Sequence, residues 1–254
     1  MTSPPVQRIA IPRSPNGDRQ DFHLSLQGAF GLSSSAVPLV LPGSSQRLLA
    51  FLALQDRSVT RSATAGALWP EASEAHAHAS LRSALSRLDL ITRSALEVDF
   101  LDLRLATTVT VDIRDSRKLA HRLLIVDTTP SPTDLTVEAI AGLSSELLPD
   151  WYDDWVLLEA EGWHQLRLHA LDSLAGRLVA VKRYADAIAA ALAAIKADPL
   201  RETAHAALIG VHLAEGNQSE ARAAYDRYAD LLRAEIGVEP TARLKELVSH
   251  IQQR

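Results

Sequence analysis

Apolar residues change their spacing along this chain in an order that few folds accept. Phe22, Leu24 and Leu26 alternate with His23 and Ser25, and two further short apolar segments follow, Ala29–Leu32 and Val37–Leu41, separated by a serine-rich turn. These segments predict three short antiparallel strands, with Pro38 marking an edge. After the breaker Pro42–Ser45, in which a serine is placed to cap, the spacing becomes helical. Gln46–Leu54 carries Leu48, Leu49 and Leu52 on one face. Asp56–Thr60 reads as a turn, and Thr60 is placed to cap a weaker helix, Arg61–Trp69, which Pro70 ends. Ser73 is placed to cap a third helix. Then Leu96–Val98, Leu101–Leu105 and Val109–Val111 return to alternation as the strands of a hairpin.

On a helix, Ser73–Leu88 puts Ala77, Leu81, Ala84, Leu85 and Leu88 on one side. His76, Ala79, Ser83 and Ser86 fall opposite, flanked by Arg82 and Arg87. A stripe of core residues is thus backed by a face of small polar groups between two guanidinium groups. The major groove of DNA admits one helix and is read by such side chains. The same face also serves as an ordinary solvated surface. Helix, helix, recognition helix and hairpin, led by a small sheet, make the winged helix-turn-helix of the OmpR type.

Past Asp112–Ser116 the alternating patterns stop. Lys118–Val126 and Val137–Leu148 read as helices joined by the loop Thr128–Asp134. Val156–Val181 reads as one long helix. Tyr184–Ile188 matches Gln218–Arg222 in role, with Ala187 and Ala221 separated by the 34 residues of a tetratricopeptide repeat. These helix pairs are expected to stack, with the Trp151–Val181 region as a third pair. The fold class is therefore mainly α. Residues 1–20 are expected to be a flexible tail, 21–112 a winged domain, and 116–254 an all-α tetratricopeptide-like domain.

Composition bounds the function. The 254 residues contain no cysteine, which rules out disulfides, thiolate zinc sites and cysteine nucleophiles. No apolar run reaches membrane-spanning length and no secretory signal is visible, so a cytoplasmic protein without a membrane partner is expected. Phosphate loops, dinucleotide fingerprints, zinc-protease and serine-hydrolase motifs are absent, so no enzyme, cofactor or metal is expected. His76 and His78 lie ~200° apart on a helix and cannot chelate one ion. His164 with His169, and His205 with His212, lack zinc-site spacing.

Six ordered blocks carry a family likeness: Ser45–Leu54, Leu68-Trp-Pro-Glu-Ala-Ser73, Ala79–Leu88, Leu147-Leu-Pro-Asp-Trp-Tyr-Asp-Asp-Trp155, Ala197-Asp-Pro-Leu-Arg-Glu202 and Ala234-Glu-Ile-Gly-Val-Glu-Pro-Thr241. In these the chain resembles the SARP family of transcriptional regulators from about residue 22 to the end. The resemblance implies an OmpR-like DNA-binding domain joined to a bacterial transcriptional activator domain. It further implies a dimer or tandem pair on direct repeats of double-stranded DNA, and activation through contact with RNA polymerase.

Candidate DNA contacts are Arg82, Arg87, Ser83, Ser86 and His76 on the third helix, Arg47 and Arg61 at the starts of the first two, and Arg104 beside the hairpin. Helix starts and exposed arginines hold phosphates, though each of these residues also serves as plain surface charge. Asp153 and Asp154 among Trp151, Tyr152 and Trp155 are read as an interdomain anchor, with the aromatics buried and the acids capping the next helix. The whole chain carries a net charge of −5, and Ser45–Asp112 sets seven arginines and no lysine against eight carboxylates. Phosphate neutralisation supplies most non-specific DNA affinity. The alternative reading is therefore a helical-repeat adaptor whose winged domain binds DNA weakly or not at all. The hairpin also lacks a glycine at its Asp99-Phe100 turn, so a blunted tip is expected.

Overall fold

The structure, a computed structural model, describes residues 21–125, 131–249 and 251. The expected tail 1–20 and part of the expected loop 128–134 lie outside them. Three strands open the chain: β1 (Phe22–Ser25), β2 (Gly31–Ser34) and β3 (Val37–Leu39). They pair antiparallel as expected, with Leu24 opposite Leu32 and Leu32 opposite Leu39. The two-residue connection between β2 and β3 puts both Ser35 and Ala36 in the left-handed region, at φ 49° and 66°. That is the twist-matched hairpin turn, built here without the glycine that favours it.

Helix α1 (Gly43–Leu54) is buried along most of its length, every residue from Leu48 to Leu54 being inside. Ser45 does not cap it. Its hydroxyl is buried and donates to the Ala84 carbonyl at 3.0 Å, fastening α1 to α3. Thr60 does cap α2 (Arg61–Leu68), accepting from the Ala63 N–H. Helix α3 (Glu74–Ser86) follows, and then a short helix α4 (Leu90–Arg93), too brief for apolar spacing to predict. The α4 start is capped by Asp89, whose carboxylate accepts from the Thr92 N–H at 2.7 Å. That bond holds the Asp89 carboxyl below the usual carboxylate range.

The remaining strands depart from expectation in two respects. Strands β5 (Leu96–Val98) and β6 (Asp102–Leu105) form the hairpin, but β7 (Val109–Val111) leaves it. It pairs in parallel with β1 and completes a four-stranded sheet of order β3-β2-β1-β7. Val109 and Val111 thereby share the buried face with Phe22 and Leu24, which alternation on its own does not assign to a partner. The third strand of the hairpin sheet is β4 (Val59–Thr60), a segment expected to be only a turn. Val59 pairs with Leu103, giving the order β4-β6-β5.

Helix α5 (Asp112–Leu124) starts directly after β7, so the expected boundary at 112–116 falls in its first turn. The Asp112 carboxylate accepts the N–H groups of Leu26 and Gln27 at 2.9 and 3.1 Å, tying that turn to the end of β1. Arg114 donates to the Ala53, Leu52 and Gln55 carbonyls and closes the C-terminus of α1. A 3-10 turn at Pro132–Asp134 precedes α6 (Val137–Ser144), which is shorter than expected. The long helix α7 (Asp154–Ala180) is in place.

Helices α8 (Tyr184–Ala197), α9 (Glu202–Glu215), α10 (Gln218–Ile236) and α11 (Ala242–Ser249) complete the stack. Helix α7 packs on α8, α8 on α9, and α9 on α10. Ala187, Ala190, Ala191 and Ala194 are wholly buried on α8 and let its backbone approach its neighbours closely. Gly216 ends α9 with φ 90°, and the Asn217 N–H reaches back to the His212 carbonyl. A side chain at that position would force a left-handed L-residue. Tyr228 is buried against His205, rings stacked with centroids 4.0 Å apart, and donates to the Leu200 carbonyl. The mainly α fold, a winged half ahead of a helical half, is the one expected. A single apolar core runs through both halves.

Candidate nucleic-acid interface

The core stripe of α3 is as the periodicity predicts. Ala77, Leu81, Ala84 and Leu85 are at most 3% exposed. They fix α3 against α1 and α2 and leave its other face to solvent. Arg82, Ser86, Arg87 and His76 are exposed there and Ser83 is half-buried. Arg82 has no partner among the described residues. Arg87 reaches the Ser44 hydroxyl only at 3.5 Å. Ser86 donates to the Ser83 carbonyl at 3.0 Å, which occupies its hydroxyl hydrogen but leaves its lone pairs open. His76 Nδ1 lies 2.9 Å from the Ser73 hydroxyl, and Ser73, against expectation, makes no side-chain cap to the helix. His78 is turned toward α2, 3.3 Å from the Ser62 hydroxyl, and so stands apart from His76. The face thus presents two guanidinium groups and small donors on a braced cylinder.

The other three arginines are engaged within the protein. Arg47 is half-buried, donating to the Leu68 carbonyl at 2.7 Å and forming an ion pair with Asp153. Arg61 donates to the Asp99 carbonyl at 3.1 Å and helps hold the hairpin. Arg104 clasps Glu97 across the β5–β6 ladder through two nitrogens. Spacing gives no warning of this, because each partner is distant in sequence or arrives through a strand register.

The hairpin tip closes without glycine. The Asp99 N–H bonds the Asp102 carbonyl at 2.9 Å, and no residue from Asp99 to Leu101 has positive φ. Phe100 and Leu101 stand 86% and 66% exposed there, so the tip is apolar as well as blunt. The sequence signal is the pair of large apolar residues where a turn glycine is missing.

The aromatic-acidic segment joins the halves, with two corrections. Trp151 stacks on Phe30, and Trp155 meets both Phe51 of α1 and Trp151 edge-on. Tyr152, however, is 80% exposed, and Asp153 makes no cap to α7 because its carboxylate faces Arg47.

Among the described residues no three His, Cys, Asp or Glu side chains are grouped to hold a metal, and no helix is long and apolar enough to cross a membrane. The model of the bacterial transcriptional activator domain matches residues 117–252, more than half of the chain. No curated protein matches it. Among solved structures, Mycobacterium tuberculosis EmbR in complex with a low-affinity phosphopeptide is similar in fold, with a TM-score of 0.67 and 23% identity. That match covers 91% of this chain and 65% of the EmbR chain. With a winged half placed ahead of the matched residues, the chain belongs to the bacterial transcriptional activator domain family.

Proposed function

We propose that this regulator binds double-stranded DNA sequence-specifically through the outward face of α3 and activates transcription by contacting RNA polymerase. The observation that carries the reading is the pair Arg82 and Arg87, exposed on a helix whose apolar side is buried against α1 and α2. Arg82, held free of internal partners, is the base-edge reader, and Arg87 with Ser83, Ser86 and His76 grips phosphates. The near-neutral charge of the winged half makes a single copy a weak binder, so two copies on direct repeats, as a dimer or tandem pair, supply the affinity. The reading places the protein in the cytoplasm, divides it into residues 21–112 for DNA and 116–254 for activation, and gives it no enzymatic activity.

Fluorescence anisotropy with the DNA upstream of its own gene tests this. Arg82→Ala is expected to lower specific affinity by ~1–3 kcal/mol if the side chain grips a guanine bidentately. Unchanged affinity removes Arg82 from the interface.

A second reading is favoured by one observation: Arg47, Arg61 and Arg104 all spend their donors inside the protein. On that reading the winged half is a docking module and the helical half an adaptor. Binding that is absent even at low salt supports it.

A further inference from the structure

Arg167 occupies a position on α7 that an apolar residue would ordinarily fill. It lies one turn from both Trp163 and Leu171, which are buried, and is itself only 2% exposed. A charge taken out of water needs compensation, since unpaired burial is costly. Here the compensation is incomplete. One terminal nitrogen donates to the Ser144 carbonyl at 3.1 Å. The other lies 3.4 Å from His164 Nδ1 and 3.5 Å from a Glu146 carboxylate oxygen. The Nε–H has no hydrogen-bond partner. Glu146 is itself 62% exposed, so water screens its charge while Arg167 is shielded.

A cavity of about 650 Å³ abuts this arginine, within the range of small-molecule pockets. Apolar walls come from Ile140, Leu192 and Ala193, and Gly28 closes one side. Lys196, exposed on α8, also lines it and has no partner among the described residues. Glu146 is its one acidic wall residue. The same segment bonds to the N-terminal sheet, the Gly28 N–H donating to the Glu146 carbonyl at 2.7 Å.

We propose that this cavity binds a small organic carboxylate with an apolar body. The ligand carboxylate replaces that of Glu146 on Arg167, Lys196 adds a second positive charge, and the apolar body lies against Ile140 and Leu192. Glu146 is the displaceable partner because it is exposed and its contact is long. A phosphate fits less well: it is more strongly hydrated and asks for more donors than Arg167 and Lys196 provide.

The experiment is isothermal titration of the full chain, without DNA, by 3-phenylpropionate, its neutral amide 3-phenylpropionamide, inorganic phosphate, and straight-chain carboxylates from butyrate to decanoate. Saturable binding of at least one apolar carboxylate is expected, with little or none of the amide or phosphate. Glu146→Gln is expected to tighten carboxylate binding severalfold by removing the competitor. Lys196→Glu is expected to weaken it roughly tenfold. Both variants are at exposed positions and keep Arg167, whose own replacement risks the fold. The proposal is overturned if no carboxylate binds either the native chain or Glu146→Gln, if the amide binds as well as the acid, if phosphate binds more tightly, or if neither variant changes the affinity. DNA is absent from the titration, so its outcome is separate from that of the DNA-binding reading.

Discussion

Arg47 of α1 and Asp153 at the start of α7 form an ion pair that bridges the winged and helical halves, with both side chains about three-quarters buried. The same guanidinium holds the Leu68 carbonyl at the end of α2. Three elements therefore meet at one side chain, beside the Phe51–Trp155 contact that carries the apolar part of the seam.

Removing one partner leaves the other charge partly buried and unpaired. Asp153→Ala is expected to destabilise the chain by ~1–3 kcal/mol, the scale of hydrogen bonds to charged groups. Because Trp151 and Trp155 lie at the seam, their fluorescence in a urea titration should change before the helical circular dichroism is lost. Coincident transitions with an unchanged midpoint would show that the pair does not hold the halves together.

Arg82→Ala should behave in the opposite manner. Its side chain is exposed and unpartnered, so stability should stay within about 0.5 kcal/mol of the native value. Arg87→Ala takes away one phosphate-neutralising charge, so it should lower the salt dependence of DNA binding by about one unit of log–log slope. Anisotropy titrations at several salt concentrations, paired with thermal melts, separate the two effects.

The β2–β3 turn offers a stabilising change. Ala36 sits at φ 66°, where a Cβ is strained and glycine is not. Ala36→Gly is expected to raise stability by roughly 0.5–1 kcal/mol, read as a shift in melting midpoint. A lower midpoint would mean that the unfolded-chain entropy added by glycine outweighs the relief of strain.

His205 gives the helical half a pH dependence. Its Nε2 lies 2.9 Å from the Pro199 carbonyl, an acceptor only, so Nε2 carries a hydrogen and donates it there. Burial pushes its pKa below the usual histidine value, against the smaller opposing effect of that hydrogen bond. The unfolded chain therefore binds the proton more readily than the folded one. The stability contribution is fully present above the unfolded pKa near 6.5 and falls as pH drops through the lower folded value. Urea midpoints between pH 7.5 and 5 should decline more steeply in the native chain than in His205→Gln. Tyr228, pushed up to about 12 by burial, should have the mirrored effect at the alkaline end, with stability lost as pH rises above 10.

Much of this molecule is legible in its sequence because its elements are local. The α3 stripe, the Thr60 cap, the long α7 helix and the hairpins follow from periods of 3.6 and 2 and from turn chemistry between near neighbours. Pairings set across long sequence distances are not legible. Alternation makes β7 a strand but does not say that it joins β1, and Val59–Thr60 is too short to signal at all. Arg47, Arg61 and Arg104 are arginines at suitable places, and only the packing of halves and the strand register show that Asp153, the Asp99 carbonyl and Glu97 claim them. The sequence by itself determined the longer helices and strands, and which face of α3 is apolar. The tertiary structure decided which cations remain free to act outside the protein, because whether a charge has a partner depends on groups that only folding brings within a few ångströms.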